Sequence, residues 1–106
     1  MMEGLERYCL DLITNVGDAR SSFIQAIGAA KHGDFAGAES LVAAGNERFL
    51  KGHKVHGELL QKAAGGELGQ ISLILIHAED QLMSAEGFKI LANEFIDVYK
   101  KIAELS

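Results

Sequence analysis

Residues 71–85, ISLILIHAEDQLMSA, constrain the fold more than any other stretch. In them an apolar run is followed directly by a histidine and then by two acids. The four apolar residues 73–76 would occupy every side of a helix, whereas a helix on the surface of a lone bundle has a polar side. A second apolar surface is therefore predicted, and further copies of the chain would cover it symmetrically. We expect this helix to lie inside a homo-oligomer.

Composition limits the classes of protein to which the chain can belong. Its 106 residues are 48% hydrophobic and 24% charged, with a net charge of -5 and one cysteine. This balance predicts a single folded domain over residues 1–106, and the lack of a basic cluster argues against nucleic acid as a partner. The N-terminal MMEGLERY does not resemble a signal peptide, and no apolar run approaches the about 20 residues of a spanning helix. We expect a cytoplasmic protein with no membrane insertion.

Two breaker segments, KHGD at 31–34 and AGGE at 64–67, divide the chain into three segments with helical periodicity. In the first, Lys31 and His32 suit the negative end of a helix dipole, Gly33 suits a left-handed C-terminal cap, and Asp34 suits the N-cap of the next helix. Apolar residues recur there at alternating steps of four and three, which predicts a buried seam: Leu5, Cys9, Leu12, Val16, Ala19, Phe23, Ala26 and Ala30.

The second and third segments each carry an apolar stripe at helical spacing. Glycines in the second favour close packing of two helices, with local flexibility or a partner surface as alternatives. The third helix is predicted from about residue 67 to residue 104. We therefore predict an all-α fold, an antiparallel up-down-up bundle of three helices. The predicted stripes are Ala38, Leu41, Val42, Gly45, Phe49, Gly52, His56, Leu59, Leu60 and Ala63 in helix two, and Leu68, Ile71, Leu75, Ala78, Leu82, Ala85, Ala92, Ile96, Tyr99 and Ala103 in helix three.

His77 and Asp80 are the first candidates for chemistry. At a step of about 100° per residue, His77 shares a face of the third helix with Gln70, Leu73, Asp80, Gln81 and Ser84. Residues at i and i+3 can touch or hold one ligand, and a neutral imidazole can act as nucleophile, base or metal ligand. The spacing is equally consistent with a hydrogen-bonded core histidine beside an exposed or capping acid.

A metal enzyme is an alternative, because His53 and His56 are also spaced i, i+3 and could join His77 as three nitrogen ligands. Against it, the chain has no Glu-x-x-His pair of the di-iron type, and Cys9 lies in an apolar seam where it suits a small hydrophobic role. A glycine-rich phosphate loop, a serine nucleophile elbow and a Cys-x-x-Cys pair are all absent from the sequence.

Three stretches carry a resemblance to a known family: GDFAGAESL at 33–41, EL-x-x-ISL at 67–73 and HAEDQLMSAEGFKILANEFIDVY at 77–99. Together they resemble the IIA component of the lactose/cellobiose-type phosphotransferase system, whose signature is close to HAQDHLMTA. The resemblance covers nearly the whole chain. It implies a histidine phosphocarrier in which His77 accepts a phosphoryl group from HPr as tele-phosphohistidine. His77 would then pass the group to a cysteine of the IIB component, while the membrane IIC component selects the sugar.

The resemblance also implies a homotrimer with helix three toward the threefold axis. There Asp80 of each subunit would share one divalent cation per trimer, expected to be magnesium. Three converging carboxylates in an apolar interface would repel one another unless a cation neutralised them.

The chain departs from the family pattern around the site. Glu79 and Gln81 stand where the family usually has glutamine and histidine, and HKVHG at 53–57 replaces a histidine followed by Gln-Thr. A charge at Glu79 is expected to destabilise a nearby phosphohistidine or to affect the specificity for the sugar branch. These departures keep open an alternative function, a non-catalytic helical adaptor or regulatory protein of the same fold.

Overall fold

The computed structural model describes residues 4–106 and contains three long helices, α1 (Gly4–Lys31), α2 (Phe35–Ala64) and α3 (Leu73–Glu104). They lie side by side in a body of 57 × 22 × 19 Å, with α1 parallel to α3 and α2 antiparallel to both. No strand is present within these described residues. The predicted all-α three-helix bundle is confirmed. Residues 1–3, which the predicted domain includes, lie outside the described part.

The α1 seam forms the centre of the bundle. Seven of its eight predicted members are buried, and Leu5 is partly buried against the same core. Helix α1 packs more extensively on α2 and on α3 than these two pack on each other. The predicted seam is therefore confirmed.

The turn between α1 and α2 has both predicted caps. Gly33 adopts φ of 83°, and the Asp34 carboxylate accepts a hydrogen bond of 2.9 Å from the Gly37 backbone N–H. A left-handed residue ends α1 without the steric cost that a side chain would add, and the carboxylate satisfies one free donor at the start of α2.

The prediction that the third helix begins near residue 67 is wrong. Gly66 and Gly69 adopt φ of 73° and 64°, which interrupts helical geometry, and Ser72 caps α3 by accepting a hydrogen bond from the Leu75 N–H at 3.3 Å. Residues 65–72 therefore connect the helices. The longer predicted helix placed Ile71 in the apolar stripe and Gln70 on the face of His77. In the structure Ile71 is exposed, and Gln70 lies in the connection and not on that face.

The buried side of α2 is also rotated slightly from the prediction. Val55 is buried although it was not in the predicted stripe, whereas Leu60 and Ala63 are exposed. The end of α2 lies beside the first turns of α1, where Lys62 sits 5.2 Å from the Tyr8 ring centre. Leu59 is the last buried residue at this end of α2. Leu60 lies about 100° further around the helix and therefore faces away from the core.

Two glycines of α2 lie at close helix contacts. A Cβ atom at Gly45 would lie 2.6 Å from the ring of Phe23, and one at Gly52 would lie 2.6 Å from the Val16 side chain. Both neighbours belong to the fully buried part of α1. Of the interpretations that the sequence left open for these glycines, close packing is the correct one at these two positions.

Gly45→Ala is expected to destabilise the fold, because the added methyl overlaps a buried ring that has no space to move. Overpacking of this kind costs about 1–3 kcal/mol, which outweighs the gain of up to about 1 kcal/mol in helix propensity. Gly57→Ala is the matched control on the same helix, since its Cβ would meet no atom within 4 Å. Urea denaturation should show a lower free energy of unfolding for Gly45→Ala than for the wild type, and a higher one for Gly57→Ala. Equal free energies of unfolding for the two variants would contradict the packing argument.

Candidate functional site

Helix α3 has two flanks on either side of its buried face, and each flank contacts a different helix. Ser84 accepts a hydrogen bond of 3.0 Å from the Arg20 Nε of α1, and Glu79 contacts His56 of α2. His77 lies seven positions before Ser84 and therefore on the same side of the helix. We call these the α1 flank and the α2 flank. His77 and Glu79 lie one step of about 100° to either side of buried Ala78.

His77 is exposed on the α1 flank, beside a shallow open depression lined by Leu73, Ile74 and His77 itself. Its exposure excludes the alternative of a core histidine. A rigid helix thus presents an imidazole ring to solvent next to an apolar surface, an arrangement that suits a nucleophile approached by another protein.

Arg20 extends the polar surface of the α1 flank. Its guanidinium lies 4.9 Å from the Phe88 ring centre, a cation–π contact, while its Nε bonds to Ser84. Ser84 belongs to the face predicted from the sequence, but Arg20 was not identified. It lies 64 positions before Ser84 in the chain, so local periodicity carries no signal of their contact.

The α2 flank carries a hydrogen-bonded pair of a histidine and a carboxylate at the level of His77. His56 Nε2 lies 2.8 Å from each carboxylate oxygen of Glu79. The His56 side chain is 16% exposed and that of Glu79 is 41% exposed, so the carboxylate is the more accessible partner.

Burial raises the pKa of the nearby Cys9 thiol, and the negative charges of Glu79 and Glu6 raise it further. Cys9 is thus a protonated core residue.

The side of α3 that faces away from the core is mainly apolar from its first turn to its last. Leu73, Ile76 and Met83 are 82%, 55% and 69% exposed. Asp80 and Glu94 are the acids on this side. The second apolar surface predicted from residues 73–76 is therefore present, and we call it the outer stripe. It consists of Leu73, Ile76, Asp80, Met83, Ile90, Leu91, Glu94, Phe95, Val98, Ile102 and, directly after the end of α3, Leu105.

The three-histidine metal centre is not formed. His53 is exposed on α2, His56 is bonded to Glu79, and His77 lies on the opposite flank of α3. Within residues 4–106, no three histidine, cysteine or acidic side chains converge in a way that would hold a metal ion. The alternative in which His53, His56 and His77 bind one metal ion is therefore wrong within a single described chain.

None of the helices described in residues 4–106 combines the length and apolar character that spanning a membrane requires.

Comparisons with known proteins agree on one family. Residues 7–100 match the model of the lactose/cellobiose-specific IIA subunit of the phosphotransferase system. The lichenan-specific phosphotransferase enzyme IIA component of Bacillus subtilis is 39% identical over 98% of this chain and 94% of its own length. The lactose-specific EIIA component of Streptococcus mutans is 36% identical over 86% of this chain and 88% of its own length.

Solved structures show the same similarity in three dimensions. The cellobiose-specific enzyme IIA of Bacillus anthracis superimposes with a TM-score of 0.95 at 42% identity, covering 100% of this chain and 97% of the other. IIA(chitobiose) from its complex with HPr in Escherichia coli has a TM-score of 0.81 at 33% identity, covering 96% and 99% of the two chains. The chain therefore belongs to the family of lactose/cellobiose-type IIA subunits of the sugar phosphotransferase system.

Proposed function

We propose that this IIA subunit is a phosphocarrier in which His77 accepts a phosphoryl group from HPr and passes it to a cysteine of IIB. The transfer would serve uptake and phosphorylation of a lactose-, cellobiose- or chitobiose-type sugar. The observation that carries the proposal is the exposed imidazole of His77 in the family signature on α3. The related IIA(chitobiose) in complex with HPr supports HPr as the donor.

Phosphoryl transfer requires little of the protein beyond a well-positioned nucleophile and suitable charges around it. Neutral Nε2 of His77 would attack the phosphorus of phosphohistidine on HPr, so that one P–N bond forms as the other breaks and the HPr imidazole leaves. The IIB thiolate would then attack the same phosphorus and release His77. Both steps depend mainly on an accessible, oriented nucleophile and on the local electrostatic field. Because α3 is a long continuous helix, it holds the His77 backbone in one orientation.

We propose a homotrimer with the outer stripe of α3 around the threefold axis. An apolar face of this length on a small bundle is costly to leave in water and is typical of an interaction surface. The resemblance supplies the number of subunits, and the structure supplies the face that needs covering. The carrier role, which requires encounters with both HPr and IIB, supports a cytoplasmic location.

Asp80 is suited to the shared divalent cation expected from the family. Its exposed carboxylate is a hard oxygen ligand, and it lies on the outer stripe between Ile76 and Met83. One chain contributes one such ligand, so a cation held by Asp80 would need the other subunits. Magnesium, one per trimer, would neutralise the converged carboxylates and would take no part in phosphoryl transfer.

Metal removal tests this role of Asp80. A chelator is expected to lower the thermal unfolding midpoint of the wild type, because a ligand at 100 times its Kd contributes about 2.7 kcal/mol of stability. Asp80→Asn removes the charge that requires the cation, so its midpoint should not respond to the chelator. Elemental analysis should find one magnesium per three wild-type chains. An equal response of the two proteins would contradict the assignment.

The carrier function is tested by incubating the wild type with radiolabelled phospho-HPr. We expect a phosphate on the chain that is labile in acid and stable in alkali, as phosphohistidine is, and that leaves when IIB is added. A non-catalytic adaptor of the same fold would remain unlabelled. Absence of label with a competent donor would therefore overturn the proposal.

A further inference from the structure

The two flanks of α3 face different surroundings in a ring of subunits. All subunits of a closed ring have the same orientation, so the surface on one side of each subunit meets the surface on the other side of the next. If the outer stripe lies at the axis, the α1 flank of one subunit faces the α2 flank of its neighbour. The first carries His77 and the second carries Glu79. This step rests on the proposed trimer.

The two flanks also meet at the same height. His77 and Glu79 are two positions apart, which is a rise of about 3 Å along the helix axis. In a parallel helical seam, the residues that border the apolar stripe on either side are those that interact between neighbouring helices. Closing the ring would therefore bring Glu79 of one subunit near His77 of the next.

We propose that the His56–Glu79 pair of each subunit borders the phosphorylation site of the adjacent subunit and sets the charge that its phosphoryl group meets. The pair deepens the proposed carrier function and depends on it. Glu79 and His56 act here as positioning residues through their electric field, and His77 remains the only residue that bonds to phosphorus.

The geometry of the pair explains why both members are needed. A phosphoryl group on His77 carries negative charge, and a lone carboxylate nearby would repel it. His56 Nε2 lies 2.8 Å from both oxygens of Glu79, so the N–H that it directs at the carboxylate would offset part of that charge. The imidazole is the more buried partner, while the carboxylate is 41% exposed on the flank that would line the seam. A pair that served only to join α2 to α3 would leave phosphoryl transfer unaffected when it was replaced.

Glutamine variants separate these two roles. His56→Gln leaves Glu79 unpaired and should slow phosphorylation by phospho-HPr roughly three- to tenfold, the effect of one charge at about 10 Å in a medium of intermediate dielectric constant. Glu79→Gln should be at least as fast as the wild type, and the double variant should recover the rate lost in His56→Gln. Lys100 and Glu39 form a matched control pair, since they also join α3 to α2, with 2.7 Å between Nζ and Oε1. Their glutamine variants should transfer at the wild-type rate.

Mixed trimers show which subunit supplies the pair. His56→Gln subunits would be assembled with an excess of His77→Ala subunits, which cannot accept phosphate but carry an intact pair. If the pair acts on the neighbour, the label on His56→Gln chains should appear at the wild-type rate; a rate that stays slow overturns the proposal.

The remaining outcomes are also decisive. Equal rates for the wild type and all pair variants would overturn this inference while the carrier function stands. A monomer in solution would overturn it as well. A wild type that takes no phosphate would overturn both.

Discussion

Replacing His77 by alanine is expected to reduce phosphoryl acceptance from HPr to background, a loss of at least about a thousandfold, because no other group can replace a missing nucleophile at that position. The fold should be unchanged, since the His77 side chain is exposed and alanine favours helix. Initial rates with radiolabelled phospho-HPr measure the loss, and circular dichroism checks the helix content.

His53→Ala is the matched control for this experiment. His53 is likewise an exposed histidine on a helix, but it lies on α2 and contributes to neither flank of α3 as described. This variant should accept phosphate at nearly the wild-type rate. Labelling that survives in His77→Ala and disappears in His53→Ala would move the phosphoryl site to α2 and contradict the assignment made from α3.

Met83→Glu is expected to dissociate the proposed trimer. Met83 is 69% exposed on the outer stripe, one turn beyond Asp80, so the proposed assembly would bury it near its two equivalents. Each added carboxylate would lose its hydration without a partner, at a cost of several kcal/mol per ion, and the three would repel one another. Sedimentation equilibrium at micromolar concentration should find trimers of the wild type and monomers of the variant.

Leu50→Glu provides the control for a general effect of surface charge. Leu50 is 64% exposed, close to the value for Met83, but it lies on α2. This variant should sediment like the wild type. If Met83→Glu also remained trimeric, the outer stripe would not be the interface. The positions inferred for Asp80 and for the His56–Glu79 pair would then be contradicted as well.

Features with local causes could be predicted from the sequence. The turn at Gly33 and the cap at Asp34 are each set by one residue acting on its own backbone, and the α1 seam follows from a regular period that burial on two sides preserves. His77 was found because its spacing and the family signature coincide on one helix. Its exposure on the α1 flank confirms that it is not part of the core.

Features that depend on the relative rotation of helices could not be predicted. The contacts of His56 with Glu79 and of Arg20 with Ser84 join residues 23 and 64 positions apart, and a small rotation of either helix would break them. The start of α3 differs from the prediction for another reason. The apolar residues Leu68 and Ile71 continue the helical period, while the backbone conformation of Gly69 is not visible in that pattern.

If the outer stripe is the trimer interface proposed above, assembly is also sensitive to the abundance of the protein. Three chains that bury one face together obey mass action, so each tenfold dilution weakens assembly by about 2.7 kcal/mol per trimer. A cell that made too little of the protein would hold separate chains with a bare apolar helix, prone to aggregation and to degradation. The expression level would then determine how much of the protein is assembled, as well as how many copies exist.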